Sequence, residues 1–137
     1  MTGGRSPAQR SNIELVRAAV AAFNRNDMDT LAALCSERFE AIPIQGWPDD
    51  PVYRGPEGMV RLSATWWENF DRTTVEIERL EGVGARVLAL LVQSGWQQGV
   101  ALGQRLGSIW DCGGGLIRRV QFFLGYEPAL EAAGLAP

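Results

Sequence analysis

Ala85 to Gly95, ARVLALLVQSG, is the only long run in the chain that is apolar on both of its alternating faces. Val87, Ala89 and Leu91 point one way, and Leu88, Leu90 and Val92 the other. A strand with one face in water alternates apolar and polar residues, whereas a strand covered on both faces does not. The run therefore reads as the central strand of a sheet. Helices of the same chain are expected on one face, and a second sheet or subunit on the other.

The flanks support a sheet. Upstream, TTVEIERL (Thr73 to Leu80) sets Val75 and Ile77 against Glu76 and Glu78, and the chain turns through Glu81-Gly82-Val83-Gly84 into the central strand. Downstream, Gln104 to Cys112 alternates, and Gly113-Gly114-Gly115 makes a tight hairpin into Leu116 to Leu124. The N-terminal half is helical. Ser11 and Glu14 have capping-box spacing, and Ile13, Val16, Val20 and Phe23 fall on one face of a helix from Ser11 to Arg25. Asp27 caps a second helix with Leu31, Leu34 and Cys35 facing inward. FEAIPI (Phe39 to Ile44) is a short strand, at an edge or bent because it contains Pro43, with Glu40, Ile42 and Ile44 on one face. GWPDDPVYRGPEG (Gly46 to Gly58), with three prolines and three glycines, is a long loop. A third helix follows, presenting Met59, Leu62, Trp66 and Phe70, and a last helical turn runs from Pro128 to Ala133. Helices followed by antiparallel strands make an α+β domain over residues 11–137, preceded by a flexible tail at 1–10.

Composition excludes several chemistries. A chain of 137 residues hides roughly 70% of its extended surface on folding, enough for one core with a pocket in it. All thirteen basic residues are arginine, so neither Schiff-base chemistry nor a P-loop lysine is available. The chain has no histidine, which removes Ser-His and Cys-His pairs and His-ligated metals. A net charge of -3 disfavours nucleic acid as a partner. Cys35 and Cys112 read as free thiols. Gly82-Val83-Gly84 lacks the third glycine and the following helix of a dinucleotide site. No cofactor or metal is expected. With no apolar leader and no run near 20 apolar residues, the protein is expected to be cytoplasmic and free of membranes.

Helix hairpin, strand, proline-rich loop, helix and four antiparallel strands is an order similar to that of the nuclear transport factor 2-like superfamily, specifically its SnoaL-like (ketosteroid isomerase-like) members. AFNRNDMDTLAAL, GWPDDPVYRGPEG, GGLIRRVQFF and EPALEAAGL carry the resemblance. It implies a cone, in which a curved, mostly antiparallel sheet wraps three helices around an apolar pocket, and a homodimer through the sheet. The catalytic sets of the family do not carry over. A tyrosine and an aspartate of ketosteroid isomerase-like members would fall near Ala19 and Ile42. The Arg-x-Asp of limonene epoxide hydrolase-like members has no counterpart after Arg86, and their second aspartate would fall near Phe122. The acid of SnoaL-like cyclases would fall near Ser108, and their histidine is absent. Gly125-Tyr126 stands where many relatives carry Asp-Arg.

Apolarity and this resemblance place Gln104, Leu106, Ser108, Trp110, Val120, Phe122 and Leu124 on the inner face, with Arg118 near the end. Arg105, Ile109, Ile117, Arg119 and Phe123 then lie outside, where Ile109, Ile117 and Phe123 are expected to meet a second subunit. Trp66, Ile42 and Glu40 complete the wall. Glu40 is the one candidate general base or acid, since burial among aromatic rings raises a carboxyl pKa towards the useful range. Gln104 and Ser108 are candidates to orient a ligand oxygen, Arg118 to meet an acidic group, and Trp47 and Tyr53 to cover the mouth. Each also has a structural reading: Glu40 as an exposed strand-end residue, Arg118 as a solvated one, and Trp47 and Tyr53 as loop anchors. Three functions fit: a domain that binds a small apolar molecule, a metal-independent acid-base enzyme (isomerase, cyclase or hydrolase) acting on a polyketide-, steroid- or terpenoid-like molecule, or a scaffold with a vestigial pocket.

Overall fold

The computed structural model describes residues 7–47 and 51–135. Helix α1 spans Pro7–Asn24 and α2 Met28–Ala33; strand β1 (Cys35–Ile42) and the two-residue β2 (Tyr53–Arg54) precede helix α3 (Gly55–Glu68). Strands β3 (Arg72–Val83), β4 (Arg86–Gln97), β5 (Val100–Gly113) and β6 (Leu116–Leu124) follow, and α4 (Glu127–Ala132) is the last element. The strands form one curved open sheet in the order β2-β1-β6-β5-β4-β3, antiparallel throughout except between β1 and β6. The fold is the expected α+β cone. Among the described residues, no helix is long and apolar enough to cross a membrane.

Helix α1 starts at Pro7, a residue whose fixed φ suits a first turn, so Ser11 and Glu14 lie inside the helix rather than at its start. Glu14 pairs instead with Arg17 at 3.4 Å. Residues 7–10 of the expected tail are thus helical, and residues 1–6 lie outside the described range. The cap of α2 is as expected: Asp27 accepts from the Thr30 backbone N–H at 3.2 Å and from its hydroxyl at 2.7 Å. At the other end of the sheet, the Asn24 amide bonds both the N–H (2.8 Å) and the C=O (2.9 Å) of Val75. A side chain at the end of α1 thereby satisfies backbone groups on the sheet's edge strand.

Strand β4 is covered on both faces, but both covers come from one chain. Val87, Ala89 and Leu91 enter the main core with Ile13, Val16 and Trp110. Leu88 and Leu90 lie in a second cluster with Ile109 of β5 and Ala129, Leu130 and Ala133 at the C-terminal end. Burying a leucine contributes about 2 kcal/mol, so this small cluster suffices to hold a two-turn helix. The expected second subunit on these residues is corrected: α4 occupies the place, and Ile109 is already buried.

Two strands present faces other than those expected. In β1, Phe39 and Ala41 are fully buried while Glu40 and Ile42 turn away from the core. The strand begins at Cys35 and carries an irregularity before Glu40, and Pro43 lies beyond its end, so Ile44 cannot be counted in its alternation. Nor is β1 an edge, since β2 pairs with it from within the long loop. In β6, Asp111 pairs with Arg119 but Cys112 pairs with Ile117, leaving Arg118 as the extra residue of a bulge. Ile117 therefore joins the main core instead of the outer face, and Arg118 is exposed with its guanidinium against Gly113.

Candidate functional site

A half-open cavity of ≈ 60 Å³ lies between the helices and the concave face of the sheet. Helices α1 and α2 supply Ala19, Val20, Phe23 and Leu31. From α3 come Met59, Leu62, Ser63 and Trp66, the i, i+3, i+4, i+7 stripe of a helix packed on one face. The sheet supplies Val75, Leu91, Gln93, Leu106, Trp110 and Phe122. A single water needs about 10–15 Å³ by this measure, so the space holds a few waters, or one end of an organic molecule entering from the mouth.

The aromatic wall is fixed from behind. Trp110 and Phe122 meet edge to face with centroids 6.1 Å apart. Trp110 Nε1–H donates to Ser108 Oγ at 2.8 Å, and Ser108 donates in turn to the Ala89 carbonyl at 2.8 Å. This closed chain locks the indole and leaves Ser108 wholly buried. Trp66 lies between Trp47 (5.4 Å) and Phe70 (6.0 Å), and Trp47 Nε1–H donates to the Tyr53 hydroxyl at 2.8 Å. At the far end of α3, Trp67 donates to the Phe23 carbonyl at 3.1 Å, tying α1 to α3 beside the cavity.

Polar groups at the wall are few. Gln93 donates to Thr73 Oγ1 (2.7 Å) and the Ser94 carbonyl (3.3 Å), and accepts from Gln104 at 3.3 Å. Ser63 is the other polar residue there. Among the described residues that line the cavity, none has an ionisable side chain. Nor do the described residues bring together three His, Cys, Asp or Glu side chains able to hold a metal.

Of the residues singled out from the sequence, Trp66, Trp110 and Phe122 line the cavity together. Gln104 and Ser108 stand behind it, each bonded to a wall residue. Trp47 backs Trp66, and Tyr53 is buried under the Arg61 guanidinium, 4.9 Å from its ring centroid, so both anchor the loop. Glu40, Ile42 and Arg118 are not part of the wall. The Glu40 carboxylate, on the face of β1 away from the core, is paired with Arg54, its partner in register on β2. Ser63 and Gln93 were missed. Gln93 continues the inward set Val87, Ala89, Leu91, where a lone amide among aliphatics was a readable signal, and Ser63 sits on the same stripe as Met59 and Trp66.

No curated protein sequence matches the chain. Among solved structures, a Jannaschia sp. CCS1 protein described as a candidate SnoaL-like polyketide cyclase superposes with TM-score 0.78 at 18% identity, over 99% of each chain. A Catenulispora acidiphila DSM 44928 protein with a ketosteroid isomerase-like fold, solved with trimethylamine, gives 0.72 at 18% identity over 90% of this chain and 94% of that one. An epoxide hydrolase of the LEH-like type from M. tuberculosis gives 0.73 at 18% identity, over 88% and 83%. These identities speak for the fold alone. The sequence profile of the SnoaL-like domain matches residues 16–120, from the middle of α1 to the inward-facing Val120 of β6, and on that extent of match the chain belongs to the SnoaL-like domain family.

Proposed function

We propose that the protein binds a small, uncharged, largely apolar molecule in the cavity of the cone. One observation carries this reading: the described wall holds aliphatic and aromatic side chains, one amide and one hydroxyl, and no ionisable group. A charged ligand would lose its hydration there without a counter-charge, whereas a hydrocarbon ring gains by leaving water. General acid-base catalysis needs a titrating group within hydrogen-bond reach of the substrate. Glu40 is engaged with Arg54 outside the wall, so no described residue at the cavity supplies that group.

The enzymatic alternative is an isomerase, cyclase or hydrolase acting on a polyketide-, steroid- or terpenoid-like molecule. It draws its support from neighbours described as a cyclase and an epoxide hydrolase. One experiment separates the two. A panel of aromatic polyketides, steroid-like ketones and terpenoid epoxides is screened by thermal shift, and each stabilising compound is then incubated with the protein and recovered by chromatography. Binding raises the unfolding temperature by mass action. Recovery of the compound unchanged supports a binding domain, and conversion to product overturns it.

A further inference from the structure

We infer that Ser63 selects the ligand, its hydroxyl holding the single oxygen of an uncharged, mostly hydrocarbon ring such as a phenol or a cyclic ketone. This rests on the cavity being the binding site. Ser63 is 5% exposed and lines the cavity. Its hydroxyl bonds no other described residue, yet its oxygen is not among the fully enclosed polar atoms without a partner, so it opens on the cavity.

The other buried hydroxyls among the described residues, those of Tyr53, Thr73 and Ser108, are bonded, which sets Ser63 apart. Two residues along the same helix, Thr65 takes the usual route of a helical hydroxyl and donates to the carbonyl four residues back, that of Arg61, at 2.9 Å. Ser108 is closed between Trp110 and Ala89. Thr73 donates to the Ser94 carbonyl at 3.1 Å and accepts from Gln93. The Gln93 amide, the other polar group of the wall, already has partners on both its nitrogen and its oxygen. Alanine would fill the Ser63 position with a better helix propensity and no hydroxyl to desolvate. The fold therefore leaves the Ser63 hydroxyl open to whatever enters the cavity, water in the free protein and a ligand oxygen in the complex.

The chemistry of the partner follows from the surroundings. A hydroxyl both donates and accepts, so it serves a ligand carbonyl or a ligand hydroxyl. Trp66, Trp110 and Phe122 offer faces and edges to a ring, and the absence of a charged group in the described wall excludes a carboxylate or an ammonium.

Phenol and toluene are nearly equal in size and differ in the hydroxyl, which makes them the probes. Each is titrated into the full chain and followed by the side-chain N–H resonances of Trp110 and Gln93. The wild type should bind phenol about 10-fold more tightly than toluene, the worth of one neutral hydrogen bond in a desolvated site. Ser63→Ala should reduce that preference to within about 2-fold while leaving the unfolding temperature unchanged or raised, and Ser63→Thr should keep it. A preference retained in Ser63→Ala overturns the inference. So does a fall of several degrees in its unfolding temperature, since the hydroxyl would then be holding the fold. Equal binding of both probes to the wild type removes the role of Ser63 and leaves the cavity as a site. Binding of neither removes the cavity reading and this inference together.

Discussion

Gly107 of β5 and Ala129 of α4 touch so closely that a β-carbon on residue 107 would overlap the Ala129 methyl. The missing side chain is what lets α4 settle over Leu88, Leu90 and Ile109. Gly107→Val should therefore lift α4 from the sheet and destabilise the protein by about 2–3 kcal/mol, the usual cost of overpacking a fitted contact. Urea denaturation measures the loss. Limited proteolysis should cut the variant first near Gly125, and wild-type resistance at that site in the variant would contradict the proposed role of the glycine.

The two thiols should be silent in the folded protein. Burial pushes Cys35 up to about 12 and Cys112, which also lies beside the Asp111 charge, up to about 11. At pH 8 a thiol-disulfide reagent should modify neither cysteine until denaturant is added, and then both. Burial and the acceptor Glu78 likewise raise Tyr126 to about 12. Unfolded cysteine and tyrosine lose their protons near about 8.5 and 10. All three groups hold their protons longer when folded, so their contribution is complete below about pH 8.5 and declines as pH rises through 11 to 12. Denaturation midpoints between pH 8 and 11 should fall steadily.

Glu40→Gln should change little. Its ion pair with Arg54 is exposed, with side-chain exposures of 37% and 71%, and such pairs contribute about 0–1 kcal/mol. Ligand affinity should stay within about 2-fold of the wild type, whereas Trp66→Ala removes a wall residue and should weaken binding about 10-fold or more. A Glu40→Gln variant that bound normally but lost turnover of some substrate by about 100-fold would restore the catalytic reading.

For assembly we propose a homodimer seated on the part of the outer sheet face that α4 leaves uncovered. Trp96 shares the outward alternation of Leu88 and Leu90 on β4, yet is 43% exposed. Single exposed apolar residues are common, but a large indole on an uncovered sheet face is a suitable anchor. Light scattering should give twice the 15.0 kDa chain mass, and Trp96→Glu should halve it. A wild-type value of 15.0 kDa at micromolar concentration would rule the dimer out.

Regular periodicity made part of this molecule readable. The α3 stripe and the inward residues of β5 follow unbroken 3.6- and 2-residue patterns, which is why Trp66 and Trp110 could be placed. Alternation failed where the backbone is irregular. FEAIPI carries its apolar pair Ile42 and Ile44 across Pro43, and Ile44 lies beyond the strand that sets the register, so alternation counted through it puts Glu40 on the wrong face. In GGLIRRVQFF, the adjacent Arg118 and Arg119 cannot both point outward in a regular strand, and Ile117 and Val120 are three apart though both are buried. That spacing was the signature of the bulge. The partner of α4 was hidden because a six-residue helix has too short a pattern to declare what it covers.

The parallel pairing of β1 with β6 places Cys35 beside Ile117 and Ile42 beside Gln121, residues roughly eighty positions apart. The first strand cannot find its neighbour until the last has been made, since β6 lies between β1 and the β3-β4-β5 meander. The meander is built of adjacent hairpins and can form early, whereas joining the helical half to it closes a loop of most of the chain. Refolding should therefore be slow for a domain of this length, with the joining of β1 to β6 as the late event. A nascent chain stopped short of Leu116 would hold β1 with its inner edge unpaired, a surface on which strands of other chains can add.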